Sequence, residues 1–187
     1  QYDNYKIIFN DFLKQDVKKD IEGYKYKKLY VVANLPYYIT TPIITKLMKE
    51  IYPDKIVIMI QDEVANRLSA KEGSKDYGMI SVLLSSKYDI KKLFKVSRKC
   101  FIPEPNVDSA VISLTKHDKY NIEDSNIFEK LIKDCFQYKR KNLRNNLKGY
   151  DLSIIEQVLS MYDYSLNNRA EDIPVSVFVE MANNISK

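Results

Sequence analysis

The stretch that decides the fold is LYVVANLPYYITTP, residues 29–42. Its apolar run Leu29–Ala33 has the length and continuity of a parallel strand that is buried on both faces. A helix is predicted directly after it, with Thr41 as the capping residue and Pro42 at the first helical position. Strands and helices continue to alternate up to residue 115, which predicts an α/β domain with a largely parallel sheet.

The tetrapeptide Asn34-Leu35-Pro36-Tyr37 places an amide, a proline and an aromatic ring at the end of this strand. The Asn34 side-chain oxygen and the Pro36 carbonyl can each accept a hydrogen bond from an exocyclic amine, and Tyr37 can stack on the ring that carries the amine. Such a site works by positioning and polarisation, so it requires no strong base. Asn and Pro are equally common in an ordinary turn, so the tetrapeptide alone leaves both interpretations open.

Apolar patterns predict the other elements of the first part of the chain. Strands are predicted at residues 6–9, 55–60, 90–96 and 107–115, and helices at 43–51, 61–71 and 80–88.

The pattern changes after residue 117, where only helical spacing remains. Ser153 and Glu156 form a predicted capping box, and Pro174 opens a predicted final helix. The sequence therefore predicts two domains, an α/β domain at residues 1–117 and a small all-helical domain at residues 118–187.

Positive charge is concentrated rather than spread evenly. The net charge is +5, and the stretch QYKRKNLRNNLK at residues 137–148 contains five cations and no acid. Asn142, Asn145 and Asn146 add further hydrogen-bond donors there, so the stretch favours RNA contact over the alternative of a solvated helix face. A second basic stretch occupies residues 91–99. Nucleic acid is the natural partner of both.

Other features of the composition narrow the class of protein. Hydrophobic residues make up 45% of the 187 residues, which predicts a soluble globular protein, and no apolar run has membrane-spanning length. Two cysteines, Cys100 and Cys135, do not form a disulfide framework, so a reduced, cytoplasmic protein is expected. His117 stands alone, and no metal site is expected.

Two further residues are candidates for a binding site. Asp11 follows the predicted strand at residues 6–9, where a carboxylate could accept a hydrogen bond from the adenine amino group of a cofactor; a helix or loop cap is the alternative. Phe101 lies beside two prolines in the loop SRKCFIPEP, where it could stack on a base or be an ordinary core residue. Asp108 is predicted to bond backbone amides of that loop.

An ordered set of motifs carries a family resemblance. The motifs are NLPY (34–37), QDEVANRL (61–68), DYG (76–78) followed by Ser81-Val82, FIPEPNVDSAV (101–111), RNNL (144–147) and RAE (169–171). In this order they resemble the KsgA/RsmA type of rRNA adenine N6-dimethyltransferases, over residues 6–184. The related erythromycin-resistance methyltransferases, which act on large-subunit rRNA, typically have Ile in place of Leu35 and Asn in place of Asp108. The chain is therefore more similar to the small-subunit type.

The resemblance implies roles for particular residues. Asp11, Phe12 and Asn34 would contact S-adenosylmethionine, and the target adenine would be held by residues 34–37 together with Phe101. The implied substrate is small-subunit rRNA within the 30S ribosomal particle, in ribosome biogenesis. The implied RNA-binding residues are Arg67, Lys139, Arg140, Lys141, Arg144 and Arg169.

The chain departs from the family pattern in one respect. Family members carry a Gly-rich turn after the first strand and an acid after the second, whereas this chain has four glycines and no closely spaced pair. The expectation is an N-terminally truncated enzyme that retains the C-terminal part of a Rossmann-like methyltransferase sheet without its first strands. Its cofactor site would be incomplete, and it would have little activity alone. A non-catalytic RNA-binding module that assists ribosome assembly is the alternative, although RNA binding alone does not require Asp11, Asn34, Tyr37 and Phe101.

Overall fold

The structure is a computed structural model that describes residues 4–185. The strands within this range are β1 (Tyr30–Asn34), β2 (Lys55–Gln61), β3 (Tyr88–Val96) and β4 (Ser109–Lys116). The helices are α1 (Val17–Glu22), α2 (Thr40–Glu50), α3 (Asp62–Leu68), α4 (Met79–Ser85), α5 (Ser125–Cys135), α6 (Leu143–Asn146), α7 (Leu152–Ser160) and α8 (Val175–Ile185). The α/β class predicted for the first part of the chain is confirmed, and helices alone follow β4 in the described residues.

The sheet has the order β1-β2-β4-β3 and is mostly antiparallel. Among the strands of residues 4–185, only β1 and β2 run parallel, whereas β4 pairs antiparallel with both β2 and β3. The prediction of a largely parallel sheet is therefore wrong. The chain returns from β3 through the loop at residues 97–108 rather than through a helical crossover, and a parallel pair would require the crossover.

Strand β1 is an edge strand among the described residues, and it is not buried on both faces. Val32 is 81% exposed and Tyr30 is exposed beside it, while Val31 and Ala33 pack against the sheet core. The prediction of full burial is wrong because the apolar run shows that a strand forms, but it does not show whether both faces are covered.

The predicted strand at residues 6–9 is not formed. Ile7 and Phe9 are exposed, and the segment has no regular secondary structure. A strand requires the free edge of a neighbour to satisfy its backbone groups, and this segment lies against no strand of the described chain.

Two hydrophobic cores hold the fold together. The first lies on the sheet, where Ile56, Ile58 and Ile60 of β2 are buried beneath α2, α3 and α4. The second is formed by α5 to α8, and Tyr77 and Val82 from the first part of the chain also belong to it. The predicted division after residue 117 stays a prediction, and these two residues show that packing continues across it.

Tyr77 connects the two parts of the chain directly. Its side chain is buried, and its hydroxyl group donates a hydrogen bond to the Ile173 carbonyl at 3.1 Å. Nearby, the Gly73 amide donates to the Glu171 carbonyl at 2.8 Å. The DYG and RAE motifs therefore fasten the helical segment to the α/β part.

Helix α2 begins without the predicted threonine cap. A 3₁₀ turn at Tyr37–Ile39 runs straight into the helix, whose N-cap is Ile39 and has no side-chain cap bond. Thr40, rather than Thr41, turns its hydroxyl back to the Pro36 carbonyl at 3.3 Å. The preceding 3₁₀ turn leads the chain into the helix, so no separate cap residue is needed.

Helix α7 is capped by Asp151 rather than by the predicted Ser153–Glu156 box. Asp151 Oδ1 accepts hydrogen bonds from the Ser153 amide at 2.9 Å and from the Ser153 hydroxyl at 2.6 Å. Asp and Ser are equally good caps, so the sequence pattern identified the right turn but the wrong residue. The predicted start of the last helix after Pro174 is confirmed, since α8 begins at Val175.

The cap at Asp151 leads to a stability prediction. We expect Asp151→Ala to lower the thermal unfolding midpoint more than Ser153→Ala, because the alanine at 153 still presents its backbone amide to Asp151. The hydrogen bonds from Ser153 lower the pKa of the Asp151 carboxyl group. The cap therefore stabilises the fold at neutral pH, and its contribution is lost as the pH falls through the lowered pKa. Thermal melts of both variants at neutral and acidic pH test this; equal midpoints at neutral pH would contradict it.

Candidate active site and RNA-binding surface

The predicted tetrapeptide and Phe101 line one cavity. Its volume is about 360 Å³, and its walls are residues 34–37 on one side and Phe101, Ile102, Pro103 and Pro105 on the other. These segments are far apart in the sequence. The fold therefore brings together five residues that were predicted as a catalytic set: Asn34, Leu35, Pro36, Tyr37 and Phe101.

The tetrapeptide is attached to the sheet through Leu35 and is exposed to solvent at Asn34. The buried Leu35 holds it in place, and its amide donates to the Met59 carbonyl at 3.2 Å. Asn34 is exposed at the end of β1. The Pro36 carbonyl already accepts hydrogen bonds from the Ile39 amide at 3.2 Å and from Thr40. Asn34 is therefore the acceptor of this pair that is better placed for a ligand amine.

The Tyr37 ring is held by its hydroxyl group. Tyr37 Oη lies 2.7 Å from Oγ of Ser109, a buried residue at the start of β4. The ring is half-buried, so one part contacts protein while the remainder lines the cavity. This bond spans 72 residues of sequence, and sequence analysis missed the role of Ser109. The only available signal was a polar residue at the head of an apolar strand.

The loop that carries Phe101 is fastened at both of its ends. Asp108 Oδ1 accepts a hydrogen bond from the Arg98 amide at 3.0 Å, which confirms the predicted role of Asp108. The Arg98 side chain bonds the Asn106 carbonyl at 3.2 Å and lies 3.2 Å from the Glu104 carboxylate. The Phe101 amide donates to the Arg98 carbonyl. The position of Phe101 is therefore set by contacts on either side of it.

A chain of charges supports Asp108 from β3 and α3. Lys95 Nζ lies 2.8 Å from Asp108 Oδ2 and 3.9 Å from Asp62 Oδ2, and Lys92 Nζ lies 2.5 Å from Asp62 Oδ1. The hydrogen bond from Lys95 lowers the pKa of the Asp108 carboxyl group, and the same bond raises the pKa of Lys95. Both groups are therefore ionised at neutral pH. Both lysines belong to the basic stretch at residues 91–99, and no local sequence pattern indicates their pairing with these acids.

The predicted cofactor residues Asp11 and Phe12 lie in a turn rather than at the end of a strand. Asp11 Oδ1 accepts the Leu13 amide at 3.0 Å, and the Asp11 carbonyl accepts the Lys14 amide at 3.0 Å. Phe12 and Leu13 are partly buried against the sheet core, whereas Asp11 itself is exposed. The turn thus docks on the sheet and leaves a carboxylate at the surface.

The basic stretch at residues 137–148 is a turn and a four-residue helix rather than one continuous helix. Its apolar residues Leu143 and Leu147 are buried, while Arg140 and Lys141 are exposed in the turn before α6. A backbone bridge between Asn142 and Arg169 brings Arg169 alongside. We call this region the basic surface; it comprises Lys139, Arg140, Lys141, Arg144 and Arg169.

Some polar groups of the basic surface have partners within the chain. Arg144 lies 3.2 Å from the Glu156 carboxylate, and Lys139 donates to the Lys75 carbonyl at 2.6 Å. The Asn146 amide group donates to the Cys135 carbonyl at 2.7 Å. The asparagine therefore has a structural role, and its contact with RNA stays a prediction.

Arg67 lies apart from the tetrapeptide, in a cleft of about 570 Å³. The same cleft is lined by Lys139 and Lys133, so two of the predicted RNA-binding residues, Arg67 and Lys139, meet there.

The two ring nitrogens of His117 lie 3.1 Å from the Ser85 carbonyl and 3.2 Å from the Lys119 amide. Among residues 4–185, no group of three or more His, Cys, Asp or Glu side chains could hold a metal ion.

Fold and site together define an α/β protein with an open, aromatic-lined cavity and a helical segment that carries a cationic surface. A family model described as ribosomal RNA adenine dimethylase matches residues 1–187. The chain belongs to this family.

Individual relatives agree with the family match. The chain is 41% identical over 197 residues to the ribosomal RNA small subunit methyltransferase A of Bacillus pumilus, covering 100% of this chain and 68% of the relative. The protein of the same name from Alkaliphilus oremlandii is 41% identical, with the same coverage. That from Pediococcus pentosaceus is 38% identical, with 98% of this chain and 66% of the relative covered. The chain thus spans about two thirds of the length of these relatives.

Solved structures show the same fold. A dimethyladenosine transferase from Plasmodium falciparum superposes with a TM-score of 0.76 at 22% identity, over 96% of this chain and 72% of that one. The 23S rRNA methyltransferase ErmE superposes with a TM-score of 0.67 at 20% identity, over 95% and 70%. Within the described residues, no helix is both long and apolar enough to span a membrane.

Proposed function

We propose that this chain holds the adenine-binding and RNA-binding parts of an S-adenosylmethionine-dependent enzyme that dimethylates adenine N6 in small-subunit rRNA. The enzyme would act in the cytoplasm on the 30S ribosomal particle, during ribosome biogenesis. The observation that carries the proposal is the cavity in which Asn34, Tyr37 and Phe101 meet. A purely RNA-binding module has no need of that arrangement.

Residues of the cavity suit an adenine that has been turned out of its helix. Tyr37 and Phe101 offer aromatic surfaces from opposite segments, and stacking on such surfaces is the usual way to hold an extruded base. The Asn34 amide oxygen can accept a hydrogen bond from the adenine amino group. Asn34 is neutral, so it orients the amine and favours a more tetrahedral nitrogen without removing a proton.

The chain also fits one end of the cofactor. Asp11 presents an exposed carboxylate on a turn that is docked on the sheet core, and a carboxylate is a suitable acceptor for the adenine amino group of S-adenosylmethionine. Phe12 and Asn34 would complete this contact. When bound, S-adenosylmethionine supplies an electrophilic methyl group. The basic surface would grip the RNA backbone and so bring the target adenine to the cavity.

The proposal is tested with the complete protein, radiolabelled S-adenosylmethionine and small- and large-subunit ribosomal particles as parallel substrates, from which the rRNA is then isolated. Dimethyladenosine should be recovered by mass spectrometry from small-subunit rRNA only. Methylation confined to large-subunit rRNA would favour the erythromycin-resistance type instead. RNA binding without any methyl transfer would favour the assembly-module alternative.

Phe101 provides a residue-level test. We expect Phe101→Ala to weaken engagement of the extruded base by about 1–3 kcal/mol, because one stacking surface is lost. Steady-state kinetics on the rRNA substrate measure the effect. Val107→Ala is a matched control, since Val107 is an exposed apolar residue of the same loop and does not line the cavity. Unchanged kinetics in Phe101→Ala would identify Phe101 as a packing residue only.

A further inference from the structure

The two aromatic walls of the cavity are tied to two adjacent residues, Asp108 directly before β4 and Ser109 at its start. Ser109 Oγ lies 2.7 Å from the Tyr37 hydroxyl. Its neighbour Asp108 accepts the Arg98 amide at 3.0 Å and thereby fastens the loop that carries Phe101. The dipeptide Asp108-Ser109 is therefore the common support for two walls that come from distant parts of the chain.

The dipeptide is itself held firmly. Ser109 is buried and pairs with Gln61 of β2 and Val96 of β3, so these two strands hold its backbone from both sides. The Asp108 carbonyl accepts the Asp62 amide at 3.0 Å, and Lys95 holds the Asp108 carboxylate at 2.8 Å. A central strand holds its residues more rigidly than the segments that carry Tyr37 and Phe101, and precise sites are built on such elements.

We propose that Asp108 and Ser109 are positioning residues that set the spacing between Tyr37 and Phe101 for the target adenine, with Lys95 holding Asp108 in place. This inference rests on the proposed function. Neither residue touches the substrate; each acts through an aromatic ring.

Spacing matters because stacking is short-ranged. A base between two rings requires about 3.5–4 Å on each side, and a gap of 0.5–1 Å forfeits a quarter to a half of the contact energy. A comparable error in the position of a reacting group can cost up to about 10²-fold in rate. Loss of the hydrogen bond that supports either aromatic wall should therefore lower turnover, while affinity for the RNA backbone is retained.

The first test removes the Tyr37–Ser109 hydrogen bond from each side. The adenine that the wild-type complete protein methylates is located by reverse-transcription stops and is then replaced by 2-aminopurine, whose fluorescence is quenched by stacking. Tyr37→Phe and Ser109→Ala should each reduce the quenching of the 2-aminopurine RNA and lower kcat on the unsubstituted RNA by about tenfold, with unchanged RNA affinity. The double variant should be no worse than either single variant, because the same bond is lost only once.

Ser113→Ala is the matched control. Ser113 is also buried in β4, on the same side of the strand as Ser109, but it lies away from Tyr37. It should leave quenching and kcat unchanged. If Ser109→Ala does not fold, Tyr37→Phe still tests the bond, since Tyr37 is only half-buried.

The second test concerns the Asp108 support. Asp108→Asn keeps an acceptor for the Arg98 amide and loses the charge pair, whereas Asp108→Ala loses both. Quenching should therefore be lower in Asp108→Asn than in the wild type, and lowest in Asp108→Ala. Lys95→Met should resemble Asp108→Asn, and Lys95→Arg should restore quenching. Lys119→Met, which breaks the exposed Lys119–Asp89 pair elsewhere in the structure, is the control.

The outcomes separate this inference from the proposed function. Full quenching in Tyr37→Phe, Ser109→Ala and Asp108→Ala, alongside quenching in the wild type, would overturn the positioning role alone. Absence of quenching and of methylation in the wild-type protein would overturn the proposal that the cavity binds the target adenine, and this inference with it. Strictly additive losses in the Tyr37→Phe/Ser109→Ala double variant would show that the two residues act separately, and would also overturn it.

Discussion

Asn34→Ala should abolish most methyl transfer while leaving the affinity for rRNA nearly intact. Removal of one preorganised polar group at a reacting centre typically costs on the order of 10²–10³-fold in kcat. Asn34 is exposed at the end of β1, and the neighbouring Pro36 carbonyl is already engaged by Ile39 and Thr40. The chain therefore offers no equally free acceptor in the tetrapeptide to replace it.

Single-turnover methylation and RNA filter binding, measured on the same preparation of the complete protein, distinguish the two effects. Asn121→Ala is a matched control, because Asn121 is exposed in the segment that follows β4. Near-normal turnover in Asn34→Ala would remove Asn34 from the reaction. An equal loss of RNA affinity and turnover would assign it to substrate binding instead.

The longer helices were predicted well from the sequence because each carries its own periodic signal, whereas the short α1, which has no buried residue, was not predicted. The apolar positions of α2, α5 and α8 recur at helical spacing, and the structure buries those faces. The boundaries were less accurate. Capping depends on which of several suitable residues meets the free amides, as the choice of Asp151 over Ser153 shows.

The sequence predicted where strands form, but not which strands pair with one another. The run in β1 identified a strand, but strand order, direction and coverage depend on segments far away in the sequence. The segment at residues 6–9 has a strand-like composition and no partner among the described residues, so it remains irregular. Apolar composition predicts β structure only where a free edge is within reach.

The candidate site was predicted as a set of chemical groups, and among its supports only Asp108 was predicted. The tetrapeptide and Phe101 were singled out because amides, prolines and aromatic rings have visible chemistry. Ser109 and Lys95 act through hydrogen bonds to other side chains, and such pairs leave no local pattern in one sequence. Their roles required the three-dimensional arrangement.

Substitutions in the basic surface should have a large effect on rRNA affinity and on its salt dependence. If Arg140, Lys141 and Arg144 each contact an RNA phosphate, each removed contact should lower the magnitude of the log–log salt slope by about 0.7–0.9. The triple alanine variant should therefore lose about 2–3 in slope and bind small-subunit rRNA roughly 10²-fold more weakly at 0.1 M salt than the wild type. The fold should be retained, because these side chains are exposed while Leu143 and Leu147 supply the buried contacts.

Filter binding of the complete protein at several salt concentrations measures both quantities. A triple alanine variant of Lys18, Lys25 and Lys27 is the matched control, since it removes the same net charge from exposed positions before β1. It should reduce the slope far less if the basic surface is the true contact. Arg144 lies 3.2 Å from Glu156, so Glu156→Gln should free the guanidinium group and strengthen binding slightly. An unchanged slope in the Arg140, Lys141 and Arg144 variant would exclude this surface as the RNA contact and would direct attention to Lys91 and Lys99 in the second basic stretch.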